Sequence, residues 1–146
     1  MSPEQAIVES LLAAMDENVS LLETMKAVSR QEFTADPRQY LFAERCFQLA
    51  IQCLVDAAFR LAADEGWPKP QDGAAAIRLL GEKRVLPLDF VNKIGGIVAF
   101  RNVLVHAYLH INRGIVHEKL AELGDFRQYQ RHVLAYLSAR GQKGTR

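Results

Sequence analysis

Four residues suited to proton transfer and phosphate binding fall within FRNVLVHAY (100–108): Arg101, Asn102, His106 and Tyr108. Histidine is the side chain best placed to move protons near neutral pH. Arginine holds a phosphate and stabilises extra negative charge on phosphorus. Asparagine can orient the imidazole or the phosphate. RNA supplies its own nucleophile, the 2′-hydroxyl. Arg101 and His106 are therefore a sufficient kit for metal-independent RNA cleavage, leaving a 2′,3′-cyclic phosphate and a 5′-hydroxyl. The sequence offers no evident carboxylate cage, which disfavours a two-metal nuclease. Spacing alone is weak support, because an isolated helical histidine is more often a hydrogen-bonded boundary residue.

The stretch reads as helix. Arg101 and His106 are then separated by about 140° of rotation and do not share a face. Asn102 and His106 share one face, and Arg101 and Tyr108 share another. Val103, Leu104 and Val105 lie between and must face packing partners. Two arrangements would unite the polar groups. Arg101 could wrap round the helix toward His106, or the helix could lie at a two-fold interface where Arg, Asn and His from two copies gather. Gly95-Gly96 precedes them within the same helix and costs about 2 kcal/mol of propensity relative to alanine. That sacrifice predicts close approach of another helix, within the fold or between subunits.

The rest of the chain supplies the frame. Ser2-Pro3-Glu4-Gln5 is a helix start, with Ser2 as N-cap and Gln5 reaching back as in a capping box. Val8, Leu12, Met15, Val19 and Leu22 then form one apolar stripe over a first helix, 2–28. Residues 29–36 break the pattern. Asp36-Pro37 opens a second helix to about Asp64, with Tyr40, Phe47, Ile51, Leu54, Ala58 and Leu61 on one side. Asp56 and Arg60 stand in the favourable order for a surface ion pair. EGWPKPQD (65–72) is a loop, anchored by Trp67. A short helix, 73–81, ends at Gly81, and Pro87 opens the helix that carries the polar cluster. After Asn112-Arg113-Gly114 come a short helix and a last one, about 125–139. There is no strand alternation and no repeat. The class is all-α: an up-and-down bundle of four long helices and a short extra one, in a single domain over 1–140 with a frayed tail at 141–146.

Composition narrows the functions. A net charge of +1 over 146 residues gives no domain-wide basic excess for nucleic acid, though it leaves a local basic site open. Arg127, Arg131, Arg140, Lys143 and Arg146 read as a solvated helix face. No apolar run reaches the ~20 residues that span a bilayer, and the N-terminus lacks a signal-peptide pattern, so a cytoplasmic protein is expected. Cys46 and Cys53 are two helical turns apart, roughly 10 Å, too far for a disulfide within one helix. They read as reduced, buried thiols. His106 and His110 have a possible metal-pair spacing, but no third ligand is indicated. His117 and His132 read as surface or boundary residues. No cofactor or metal is expected.

Phe100-Arg101-Asn102 followed by Leu104, Val105, His106, Ala107 and Tyr108 resembles the Arg-x4-His-x-Tyr signature of the HEPN superfamily, and specifically of HepT-like toxins. AERCFQLAIQCLVDAAFRLA (43–62) resembles the helix preceding that signature, and VLPLDFVNKIGGIVAFRN (85–102) resembles its lead-in. INRGIVHEKL (111–120) is similar to the segment that comes after the signature. The resemblance covers about 36–137, with residues 2–35 only loosely matched. It implies a helical homodimer joined through the signature helices, with a composite ribonuclease site centred on Arg101 and His106 and with Asn102 beside them. It also implies a partner, a MntA-type nucleotidyltransferase antitoxin that transfers AMP from ATP to Tyr108 and silences the toxin, as in a type VII toxin–antitoxin system. Two other readings stay open: a non-catalytic subunit that serves a nucleotidyltransferase, and a plain helical interaction protein.

Overall fold

The computed structural model describes residues 3–106 and 112–144. They form seven helices: α1 (Pro3–Glu23), α2 (Arg30–Ala35), α3 (Pro37–Asp64), α4 (Gly73–Glu82), α5 (Leu88–Val105), α6 (Arg113–Lys119) and α7 (Gly124–Gly144). The four long ones, α1, α3, α5 and α7, make the expected up-and-down bundle, but three short helices accompany them rather than one. Leu120–Glu122 adds a 3-10 turn.

The α1 stripe is fully buried: Val8, Leu12, Met15, Val19 and Leu22 have no exposed surface. It packs along α3, the most extensive helix contact in the fold. The helix stops at Glu23, short of residue 28, in a run of turns whose Thr24 hydroxyl donates to Leu21 O at 2.6 Å. Ser2 lies outside the described residues. The segment 29–36 is not a plain break. Ser29 caps α2 by accepting from the Glu32 N–H at 3.1 Å, and Phe33 from this turn is buried. The signal, Ser-x-x-Glu ahead of an apolar residue, stands in the sequence.

Asp36 caps α3 as expected, accepting from the Arg38 N–H at 3.0 Å. Along α3, Phe47, Ile51, Leu54, Ala58 and Leu61 are buried and Tyr40 is half-buried. By length and composition α3 could cross a membrane, since a window of it has mean hydropathy 1.4, yet 56% of that window is buried inside the fold. It is the central helix of the bundle. The Asp56–Arg60 pair does not form. Arg60 instead pairs with Asp64, Nε to Oδ1 at 3.2 Å, and Asp56 accepts from Gln52 Nε2 at 2.7 Å. Both choices are again four residues apart, so helix spacing alone could not rank them.

Trp67 anchors the 65–72 loop, with its ring 6.1 Å from that of Tyr136. Gly81 does not terminate α4, which ends at Glu82 with Lys83 as its cap. It is a packing contact: a Cβ there would lie 2.6 Å from Val91 Cγ2 on α5. The chain reverses instead at Arg84, with φ +62°. The last helix runs to Gly144, so residues 141–144 continue it rather than fray. Arg127 is not a solvated cation. It bridges α7 to α1, with Asp16 Oδ1 at 3.1 Å, Ser20 Oγ at 3.1 Å and Glu23. Arg140 likewise pairs with Glu65. Arg131 is exposed, as expected.

Both cysteines are free thiols, and burial pushes each up from its usual range. His117 and His132 are half-buried boundary residues. The first donates from Nε2 to Val28 O at 2.8 Å, and the second meets the Phe90 ring at a tilt, centroids 5.3 Å apart.

Candidate active site

Helix α5 positions the polar cluster. Phe90, Ile94, Ile97, Phe100 and Leu104 recur at helical spacing and bury one face in the core. Phe100 meets the Phe47 ring edge-on at 5.6 Å and so locks α5 against α3. Arg101, next in sequence, is half-buried, and its Nε is shielded from solvent without a hydrogen-bond partner. Asn102 is exposed.

The helix ends sooner than expected. Its last helical residue is Val105, and His106 is the C-cap, exposed, with φ −100° and ψ 20°. The helix through Val105 still places His106, so the rotation of about 140° from Arg101 stands and Asn102, four residues back, is its nearer polar neighbour. The exposed imidazole sits at the helix terminus. Of the three residues between, only Leu104 is buried; Val103 is 44% exposed and Val105 41% exposed. Tyr108 and His110 lie outside the described residues.

The glycine pair has no close neighbour among the described residues. A Cβ at Gly95 or Gly96 would meet nothing within 4 Å. The described part of the chain does not supply the expected helix contact. The outer face of α5 runs Leu88, Asn92, Gly96, Ala99, Val103, His106, all exposed and spaced by three or four. It is small, weakly apolar and open.

A feature not singled out in the sequence adjoins this end of α5. Glu44, on α3 one turn before Phe47, is 7% exposed, the one buried charged residue among those described. Both carboxyl oxygens lack hydrogen-bond partners. Burial pushes the carboxyl above its ordinary range, and the nearby Arg113 charge only partly offsets that. The Arg113 guanidinium lies 4.4 Å over the Tyr40 ring. Arg113 opens α6, which Asn112 caps by accepting from the Gly114 N–H at 2.9 Å. Two incompletely satisfied ionic groups, the Glu44 carboxyl and Arg101 Nε, thus flank the Phe47–Phe100 contact from opposite helices. The sequence held a signal for Glu44: it occupies the buried stripe of Phe47 and Ile51, where a carboxylate is out of place. Among the described residues no group of three His, Cys, Asp or Glu side chains could hold a metal ion.

Arg101 and Asn102 offer donors one turn before the helix end that His106 caps.

Comparison with known proteins extends this picture. The family model "Ribonuclease HepT-like" matches residues 15–133. That span takes in part of α1, which the sequence resemblance matched only loosely. No match is found among curated proteins. Among solved structures, the cytosolic protein of unknown function YutE from Bacillus subtilis superposes with a TM-score of 0.81 at 17% identity, covering 93% of this chain and 92% of that one. A tri-AMPylated Shewanella oneidensis HEPN toxin in complex with an MNT antitoxin gives 0.81 at 19% identity, covering 92% and 99%. A toxin–antitoxin structure with AMP-PNP gives 0.79 at 18% identity, covering 91% and 99%. At such identities the likeness establishes a shared helical fold. The family match over most of the chain places this protein in the Ribonuclease HepT-like family.

Proposed function

We propose that this protein is the toxin of a toxin–antitoxin pair: a metal-independent endoribonuclease that works as a homodimer and is silenced by AMP transfer. The observation that carries the reading is α5 itself. It brings Arg101, Asn102 and His106 to the exposed end of a helix whose outer face, Leu88, Asn92, Gly96, Ala99 and Val103, is open at its glycine among the described residues.

Two such faces related by a two-fold axis would place two copies of the cluster in one cleft. One His106 takes the proton of the ribose 2′-hydroxyl. The 2′-oxygen attacks the adjacent phosphorus, and the bond to the 5′-oxygen breaks. The second His106, protonated, supplies the proton that the departing 5′-oxygen needs. Arg101 holds the non-bridging oxygens as charge builds on them, and Asn102 orients the phosphate or the imidazole. The products are a 2′,3′-cyclic phosphate and a 5′-hydroxyl.

The family match, and the AMPylated toxin and antitoxin among its structural neighbours, support a nucleotidyltransferase partner. In this reading the Tyr108 hydroxyl attacks the α-phosphorus of ATP and pyrophosphate leaves. The resulting phosphodiester sets a nucleotide and a negative charge two residues from His106, in competition with RNA for Arg101.

The test is expression of wild type and His106→Ala without antitoxin, followed by growth and RNA end analysis. Growth arrest with new cyclic-phosphate ends, both lost in the variant, is expected. Soluble, folded wild type that causes neither would transfer the α5 cluster to a role in assembly. Tyr108→Phe should cleave RNA normally yet escape AMP-dependent silencing. Continued control by the transferase activity would move the modification elsewhere.

A further inference from the structure

A second concave site lies between α1, α3 and the 65–72 loop. It has a volume of about 660 Å³ and is lined by Leu11, Asp56, Phe59, Arg60, Trp67 and Lys69, among others. That size is in the range of small-molecule sites. Its place in the fold sets it apart from the polar cluster: Asp56 lies about 13 Å along α3 from Phe47, toward the helix end opposite Glu44.

The lining is unusual in its chemistry. Two aromatic residues, Phe59 and Trp67, line it, and the Trp67 ring also carries Lys83 Nζ 5.5 Å from its centroid. Two cations, Arg60 and Lys69, stand with them. Lys69 is exposed and Arg60 half-buried. The Arg60 guanidinium is held only at one corner: its Nε is shielded from solvent, and Asp64 Oδ1 at 3.2 Å sits off the line of a hydrogen bond. Asp56 is half-buried, and its Oδ1 accepts from Gln52 Nε2 at 2.7 Å. The same bond fixes the carboxylate in one orientation and leaves Oδ2 with unused acceptor capacity.

We infer that this pocket binds a guanine nucleotide, with the base against Trp67 and Phe59, its N1–H and exocyclic amine donating to Asp56, and its phosphate facing Lys69 and Arg60. Flat aromatic faces receive a nucleobase by stacking. A carboxylate selects a base edge that carries donors and no acceptor between them, which guanine has and uracil lacks. The adjoining cations select a phosphate over a neutral nucleoside. A free nucleotide and an unpaired guanine in single-stranded RNA present the same chemistry to the pocket. The assignment does not depend on the ribonuclease reading.

Trp67 is the single tryptophan of the chain, so all tryptophan emission comes from the wall of this pocket. The experiment titrates full-length His106→Ala protein, which leaves RNA uncut, with GMP, UMP and guanosine. A parallel arm uses two short single-stranded RNAs that differ by one guanine-to-uracil replacement. Saturable quenching by GMP is expected, with guanosine and UMP each weaker by about tenfold or more. Asp56→Asn should remove the preference for GMP over UMP, and Lys69→Ala should remove that for GMP over guanosine. Quenching by the guanine-containing RNA without quenching by GMP would assign the site to substrate RNA, and the reverse would assign it to a free nucleotide. Absence of saturable quenching in both arms overturns the inference, as does equal quenching by GMP and UMP. Neither result bears on whether His106 cuts RNA, because the two readouts are separate.

Discussion

At the residue scale the sharpest contrast is between Glu44 and Arg127. Glu44 is desolvated and lacks hydrogen bonds. Its carboxyl is more easily protonated in the fold than in the unfolded chain. The folded state therefore binds this proton more tightly, and ionisation of Glu44 opposes folding. The penalty is absent below the unfolded pKa, the ordinary carboxylate value of 4.5, and grows as pH rises through the folded one. Glu44→Gln should thus gain about 1 kcal/mol at neutral pH and lose that pH dependence, as urea unfolding at several pH values would show. A loss of stability at pH 7 would mean that attraction to Arg113 outweighs desolvation. Arg127 is the opposite case. Asp16, Ser20 and Glu23 all meet it, and the hydrogen bond to Asp16 leads in holding its guanidinium protonated. Because the group is only half-buried, Arg127→Ala should cost a modest 1–2 kcal/mol, roughly the value of a small charge network.

At the element scale the glycines divide into two kinds, and substitution separates them. Gly81 lets α4 approach α5, and an added Cβ would collide with Val91. Gly81→Ala should destabilise the chain by about 1–3 kcal/mol, the usual range for overpacking. Gly95 and Gly96 meet nothing among the described residues. Alanine at either position should raise the stability of an isolated subunit, by up to about 1 kcal/mol of helix propensity. Thermal unfolding of the three single variants checks both statements at once. The end of α5 is also an element-scale matter. By stopping at Val105 the helix makes His106 its cap and sets the exposed imidazole at the helix terminus, one turn beyond Asn102.

At the scale of the whole molecule, the open face of α5 predicts the assembly. Sedimentation of the wild type should give a dimer. Gly96→Leu should give a folded monomer with an unchanged helical spectrum and no cleavage, because each site would need both copies. A Gly96→Leu dimer with full activity would sink the composite site. Much of this molecule was legible without coordinates. The α1 stripe, the Asp36-Pro37 start of α3, the 65–72 loop and the all-α class rest on periodicity, capping and breakers, which act over a few residues and leave their mark in the chain. So do the residue types of the cluster, Arg101, Asn102 and His106. Other features arise only when distant segments meet. Whether Gly81 ends a helix or seats one, and which side of α5 stays bare, depend on how the helices pack. So does the isolation of Glu44, whose local sequence shows a carboxylate on an apolar stripe but not whether anything answers it. The choice of Asp64 over Asp56 by Arg60 lies between equal helical spacings. Local order is encoded by short-range sterics and hydrogen bonding; partner choice and burial are set by the packing of all the helices together.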